Sequence, residues 1–424
     1  MIQDAPFLTS LFEAAVAAAD PYQALQPHMP SPPKGRTVVV GAGKGAAQLA
    51  RAFETLWQEA GHGPLSGVVV TRYGYATPCA HIKVLEAAHP VPDEAGLDAS
   101  HALFDAVDGL GPDDLVVALM CGGGSSLLPC PPKGLTLEDE QTMNAALLAS
   151  GAPISAMNAI RKHVSGIKGG RLALAAFPAK VVSFVVSDVP GDDPAQVASG
   201  PTVPDDVTQA MALDLIQSHA IALPEKVLAH IASDEAQAPA PDALELQKNT
   251  VTVIASADLS LEAAAQAAIE AGVPAVILSD AIEGEAREVA KVHAAMARDI
   301  AMKGRPFAAP VVLLSGGETT VTLRGTGGKG GRNSEFLLSF SKEIEDIDGI
   351  CAIAADTDGI DGSEDNAGAF ANGGSAARMR AAGRDPAQDL TTNNAYRAFE
   401  AVSDLFSPGP TGTNVNDFRA ILIR

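Results

Sequence analysis

The stretch Thr37-Val38-Val39-Val40-Gly41-Ala42-Gly43-Lys44-Gly45-Ala46 decides the fold. Thr37–Val40 is a short apolar, β-branched run, Gly41–Gly45 a glycine turn, and Ala46–Ala60 carries apolar residues at helical spacing before a second strand-like run at Val68–Thr71. A strand, turn, helix and strand in that order make a βαβ unit. Outward from it, Leu115–Met120, Val181–Ser187, Val251–Ala255, Ala275–Ser279, Val311–Ser315 and Ile350–Ala355 read as further strands. They are mostly apolar throughout rather than alternating, as strands are when helices cover both faces of a sheet. The predicted class is therefore α/β.

Between Ser233 and Asn249 the composition shifts to Asp, Glu, Ala, Gln and Pro without periodicity, which suits a surface connection. The expected domains are residues 1–240 and 241–424. Leu259–Ala271 and Gly284–Met302 are Ala-rich amphipathic stretches around Ala275–Ser279, so the second part also begins as α/β. No fixed-period repeat is visible. Two strings echo one another, Cys121-Gly-Gly-Gly-Ser-Ser126 and Ser315-Gly-Gly-Glu-Thr-Thr320, each a buried strand running into glycines and hydroxyls.

The chain has 424 residues, with 29 Lys+Arg against 51 Asp+Glu and a net charge of −22. Such a field repels nucleic acid, and no basic patch large enough to overcome it is present. Apolar runs fall far short of the roughly 18 residues a membrane span needs. No Lys or Arg precedes Lys34, unlike the basic start of a secretory signal, so a cytoplasmic location is expected. The four cysteines form no C-x-x-C pair and read as reduced thiols. Spacings for zinc, for a P-loop and for a G-x-S-x-G nucleophile are all missing, and His89 and His163 read as structural.

Chemistry is expected where strands end in glycine, because bare N–H groups there attract anions. Gly122, Gly123 and Gly124 let backbone approach a phosphate, and Ser125 and Ser126 add hydroxyl donors where a helix could begin, the alternative being a simple tight turn. Gly41–Ala46 matches G-x-G-x-x-A, yet the next strand ends at Thr71-Arg72 rather than at a ribose-binding carboxylate. Lys44 within the turn suits a phosphoryl oxygen instead, or equally is a solvated side chain beside a structural turn. Ser187–Asp193 supplies Asp188, Asp192 and Asp193, and Asp356–Gly362 supplies Asp356, Asp358 and Asp361. These are carboxylates of the kind Mg²⁺ uses, or equally Asx-turn and cap residues. Gly325–Arg332 is a glycine-rich cationic loop that could close on an anion through Arg332, the alternative being a mobile surface loop. Arg161, Lys168 and Arg171 share one helical face and could meet a substrate carboxylate, or form a solvated face.

Taken in order, these strings resemble the class II glycerate 2-kinases, whose C-terminal part is the MOFRL domain. The resemblance also rests on Asn158-Ala-Ile-Arg161-Lys-His-Val-Ser165, Ile167-Lys-Gly-Gly-Arg171, Ala198-Ser-Gly-Pro-Thr202, Gly330-Gly-Arg332-Asn333 and Thr411-Gly-Thr-Asn414-Val-Asn-Asp417, and spans Gly41 to Asp417. It implies a Rossmann-like N-terminal domain, a smaller α/β C-terminal domain, and a cleft between them in which ATP with Mg²⁺ phosphorylates D-glycerate to 2-phosphoglycerate. Lys44 and Arg332 are implied as central.

The expected site residues are thus Lys44, Arg332 and Asp188 for catalysis, and Gly122–Ser126 for nucleotide. Arg161, Lys168, Ser315, Gly316, Glu318 and Asn414 are expected at substrate, with Asp193, Asp356 and Asp358 at metal. Cys121, Ser126 and Ser334 depart from the family pattern without removing a charge, which implies altered fit rather than lost activity. Glycerate and ATP are the expected partners, with no nucleic acid or membrane, and a homo-oligomer is a possible state. Two other functions stay open: an NAD(P)H-dependent hydroxypyruvate reductase, a label relatives have also carried, and a nucleotide-sensing module without turnover.

Overall fold

The first βαβ unit forms as its sequence predicts. Strand β1 (Thr37–Ala42) runs into the helix Ala46–Glu59 and then β2 (Leu65–Arg72). With β3 (Ile82–Ala87), β4 (Leu115–Cys121), β5 (Lys180–Val186) and β6 (Thr250–Ala255) they build one sheet in the order β3-β2-β1-β4-β5-β6. The β1–β2, β1–β4, β2–β3 and β4–β5 pairs are parallel. That order reverses direction between β1 and β4, the crevice where doubly wound folds take their ligands. Val38, Val40, Val116 and Ala118 are buried on one face with Leu103 and Val107 of the helix Glu94–Val107.

The computed structural model describes residue 2 and residues 4–323 and 328–424. The chain falls into two compact units, residues 21–254 and residues 1–20 with 255–424. The boundary expected at residue 240 therefore moves in two respects. Strand β6, placed after the boundary by the sequence, belongs to the first sheet. The N-terminal helix Ala5–Ala18 leaves the first unit because Leu8, Leu11, Phe12 and Ala15 are buried with Leu261, Ala264 and Phe418 of the second. An apolar helix face goes where a sheet face needs covering, however far away in sequence.

The second unit holds β7 (Ala275–Ser279), β9 (Val311–Ser315), β11 (Ile350–Asp356), β12 (Gly368–Asn372), β13 (Leu405–Phe406) and β14 (Asp417–Ile423) in the order β13-β12-β11-β14-β9-β7, with a small β8 (Gly284–Glu285) and β10 (Thr319–Thr320) pair beside it. Only β7–β9 is parallel among the pairs of the larger sheet. Alternate residues sort cleanly between two cores. Ile350, Ala352 and Ala354 join the helices Ala286–Lys303 and Arg332–Glu343, while Cys351, Ile353 and Ala355 join Ala5–Ala18 and Ala257–Glu270. Strands β3, β12 and β14, with the two-residue β8, β10 and β13, escape the sequence reading. In β14 the cause is Arg419, a charge in mid-strand that is nevertheless fully buried.

Candidate active site

In the first unit, two glycine turns clasp one another at the switch point. The Lys44 N–H donates to the Gly122 carbonyl (2.9 Å), and the Lys44 carbonyl accepts from Thr71 Oγ1 (2.9 Å). Lys44 is thereby held by the ends of both β2 and β4, with its half-buried side chain on the glycine turn. Gly123 is left-handed at φ 77° and caps the short helix Gly124–Leu127. A methyl group on Gly122 would strike the Asp188 carboxylate, and one on Gly124 would lie 2.7 Å from Ala198 Cβ. Glycine is required here because neighbours already fill the space a side chain would need.

The segment Ala198–Gly200 carries that crowding. Ala198 (φ 53°) and Ser199 (φ 59°) are left-handed without being glycine, a conformation costing about 1 kcal/mol each. It directs Ser199 into a hydrogen-bond chain: Ser125 Oγ meets Ser199 Oγ at 2.9 Å, Ser199 Oγ meets Asn158 Oδ1 at 3.1 Å, and Arg161 donates to Asn158 Oδ1 at 3.0 Å. The phosphate-loop candidate is thus tied to Arg161, whose Nε is held by Asn144 (2.8 Å). Lys168 sits differently. It is buried, donating to Glu140 Oε1 and the Leu128 carbonyl, both at 3.0 Å, so its charge braces the back of the loop. Arg171 likewise donates to the carbonyls of Lys162, Lys168, Ala236 and Gln237. Asp193 is exposed and accepts from the Ala195 N–H at 3.0 Å, a local turn.

In the second unit, Arg332 opens its helix beside a cluster of carboxylates. Its Nε donates to Asp417 Oδ1 (2.6 Å), one terminal nitrogen donates to Asp356 Oδ2 (2.6 Å), and the other lies 3.6 Å from the exposed Glu318. Asp356 and Asp417 are antiparallel partners at one end of the two central strands, so register alone sets them side by side. Burial opposes the charge on Arg332, yet Asp417 and Asp356 outweigh it and hold the guanidinium pKa above its ordinary value. Burial pushes the Asp356 carboxyl upward, helped by Asp358 and Asp417 against the pull of Arg332. Asp417 is the keystone: it also accepts from Asn333 Nδ2 (2.8 Å), from the Thr319 N–H (3.2 Å) and from the buried Arg419. Asp361 caps the helix through the N–H groups of Asn333 (2.9 Å) and Ser334 (2.8 Å).

The other expected residues of this unit turn inward or stay local. Burial lowers the His293 imidazole to about 4, so it is neutral, and its two nitrogens meet the Val289 carbonyl (2.9 Å) and Ser315 Oγ (3.1 Å). The Ser315 hydroxyl is committed there. Gly316 accepts from Arg419 and from the Ile282 N–H, which occupies its carbonyl. Asp358 and Asn414 each close a turn, on Ile360 and Asn416. Of the expected cationic loop, residues 325–327 lie outside the described residues, while Lys329 pairs with Glu364 at 2.6 Å. Asp417, Asn158 and Ser199 hold functional side chains in place. The motif strings contained all three, but nothing in their residue types marked a partner.

Fold and site together define a doubly wound α/β unit with glycine turns at its switch point, joined to a second α/β unit that displays an ion-paired arginine. A family described as "Domain of unknown function (DUF4147)" matches residues 7–232, and the MOFRL family matches residues 311–417. A protein of Agrobacterium vitis provisionally named a hydroxypyruvate reductase is 53% identical over 417 residues, covering 98% of this chain and 94% of the relative. The D-glycerate 2-kinase of Thermotoga maritima is 37% identical over 409 residues, covering 96% and 95%. The crystal structure of a glycerate kinase from that organism covers 98% of both chains at 37% identity with a TM-score of 0.88. The chain belongs to the glycerate kinase family with a C-terminal MOFRL domain.

Proposed function

We propose that this protein transfers the γ-phosphoryl group of ATP to the 2-hydroxyl of D-glycerate, giving 2-phosphoglycerate and ADP. The observation that carries the proposal is the placement of Lys44 against the Gly122–Gly124 turn at the switch point of the first sheet, in a chain of the glycerate kinase family. Phosphoryl transfer asks for positioning and charge neutralisation more than covalent chemistry. The amides and hydroxyls of Gly122–Ser126 receive the nucleotide phosphates, and Lys44 neutralises charge on the transferring group. Arg332, its fork set by Asp417 and Asp356, presents the cation of the second unit. Arg161 has one terminal nitrogen without a partner among the described residues and takes the glycerate carboxylate. Asp188, against Gly122, orients the substrate hydroxyl.

Mg²⁺ arriving on a nucleotide needs only one or two protein carboxylates beside phosphates and waters. Asp193, exposed in the same strand-end segment as Asp188, fits that demand. Asp356 does not, because Arg332 occupies one of its oxygens and the Asp358 N–H the other. Among the described residues no three His, Cys, Asp or Glu side chains gather as a preformed ion cage. Bound with ATP, the ion would neutralise phosphoryl oxygens. Among the described residues no helix is long and apolar enough to cross a membrane.

The test couples the reaction directly to enolase without a mutase. ATP and D-glycerate should yield phosphoenolpyruvate at once, which only 2-phosphoglycerate can supply. The name of the Agrobacterium relative makes the second arm worthwhile: protein, hydroxypyruvate and NADPH. Robust nicotinamide oxidation there, with no ADP release from ATP and glycerate, would reverse the assignment. ATP binding without ADP release would instead indicate a nucleotide sensor.

A further inference from the structure

His89 follows β3 and returns over the glycine turn of the first unit. Its backbone neighbourhood is anchored by Asp93, which accepts from the N–H groups of Ala88 (3.2 Å) and Gly96 (3.1 Å) and from the Tyr73 hydroxyl (2.8 Å). A methyl group placed on Gly123 would lie 3.1 Å from His89 Nε2 and 3.1 Å from Lys44 Cγ. The imidazole and the lysine therefore both crowd the same left-handed glycine, with the Nε2 edge of the ring against the turn.

The ring is also unlike two other histidines of the chain. His163 has both nitrogens against carbonyls, of Ala236 (2.9 Å) and Val207 (3.0 Å), and His293 is engaged at both ends. His89 is half-buried, yet its nitrogens have no hydrogen-bond partner among the described residues. A polar group brought to an anion-receiving turn without a protein partner is placed to meet a ligand. Burial, then the charges of Lys44 and Arg72, push its imidazole down to about 4, so it is neutral near pH 7 and carries one N–H. A neutral donor there adds a hydrogen bond without adding a third cation beside Lys44 and Arg72.

We infer that His89 is a phosphate-binding residue, donating from Nε2 to a non-bridging phosphoryl oxygen of a nucleoside di- or triphosphate seated on the Gly122–Ser126 amides beside Lys44. The inference rests on the proposal that this turn holds nucleotide phosphate. It gives His89, read from sequence as structural, a share in recognising the polyphosphate rather than the base.

Calorimetric titration of the full chain with adenosine, AMP, ADP and ATP tests it, using wild type, His89→Leu and His89→Gln. Losing one hydrogen bond to a charged group should weaken ADP and ATP on the order of tenfold or more in His89→Leu and leave adenosine unchanged. His89→Gln, which keeps a donor, should recover part of the loss. Equal affinities in wild type and His89→Leu, or an equal loss for adenosine and ATP, would overturn the inference while sparing the phosphate-loop proposal. A wild type that gains nothing from adenosine to ATP overturns both. Should the leucine variant fail to fold, unaltered protein still decides the matter. Diethylpyrocarbonate modification of His89, read by peptide mass, should be slowed by ATP and not by adenosine, and ATP-insensitive modification would refute the assignment.

Discussion

The glycine turns of the first unit and the arginine cluster of the second present groups complementary to an anion by opposite means. Around Lys44 the binding surface is backbone: amides exposed by Gly122–Gly124, pressed between Asp188, Ala198 and His89, with no ion pair to the Lys44 ammonium among the described residues. Around Arg332 it is side-chain charge, with two buried carboxylates on one guanidinium and Arg419 behind Asp417. A backbone site needs space and a tolerated φ. A charge cluster needs every partner present, since removing one leaves the rest buried and uncompensated. The first should therefore lose function without stability when altered, and the second should lose both together.

Replacing Arg332 by Ala gives the sharpest contrast. Turnover should fall by at least about a hundredfold, and denaturant unfolding should show a loss of about 3 kcal/mol because Asp356 and Asp417 lose their shared cation. Lys44→Ala should lower turnover by a similar factor, on the order of a hundredfold to a thousandfold, with the unfolding midpoint unchanged. Coupled assays and unfolding curves on the same preparations measure both, and a Lys44 variant as unstable as the Arg332 variant would erase the distinction.

The acid limb of stability should belong to the second unit. His293 is held at about 4 in the folded chain against an ordinary value near 6.5, so the unfolded chain binds its proton first. The stabilisation is complete above about pH 6.5 and is lost as pH falls toward 4, on the order of 3 kcal/mol. His293→Gln should flatten that limb in pH-dependent unfolding. His89 shifts in the same direction but is half-exposed, and should contribute less. The smallest effect is Gly123→Ala, which forces an L-residue to φ 77° at about 1 kcal/mol and crowds Lys44 and His89. It should raise the ATP KM several-fold while the acid limb persists.

Strand and turn positions in the first unit were legible because a covered parallel strand is an uninterrupted apolar run and a ligand turn is a run of glycine. The same signals singled out Lys44, Gly122–Ser126 and Arg332 as candidates. They failed where a residue's meaning lies in its partner. Lys168 and Arg332 are both cations in motif-rich strings, yet one is bonded to Glu140 in the interior and the other to Asp356 and Asp417 at the ends of two central strands. Asp193, Asp356 and Asp358 read alike as metal ligands, and only contacts separate a turn residue from an ion pair.

Local chemistry, written in period and composition, was enough to determine an α/β chain with a phosphate-type turn after β4 and a lysine beside it. Tertiary structure alone decided that residues 5–18 cover the second sheet, that β14 carries a buried arginine at its heart, and that His89 meets Gly123 across a gap of 34 positions in the chain. The reason is physical: apolar periodicity records whether a residue is buried, while pairing between distant polar groups leaves no periodic trace.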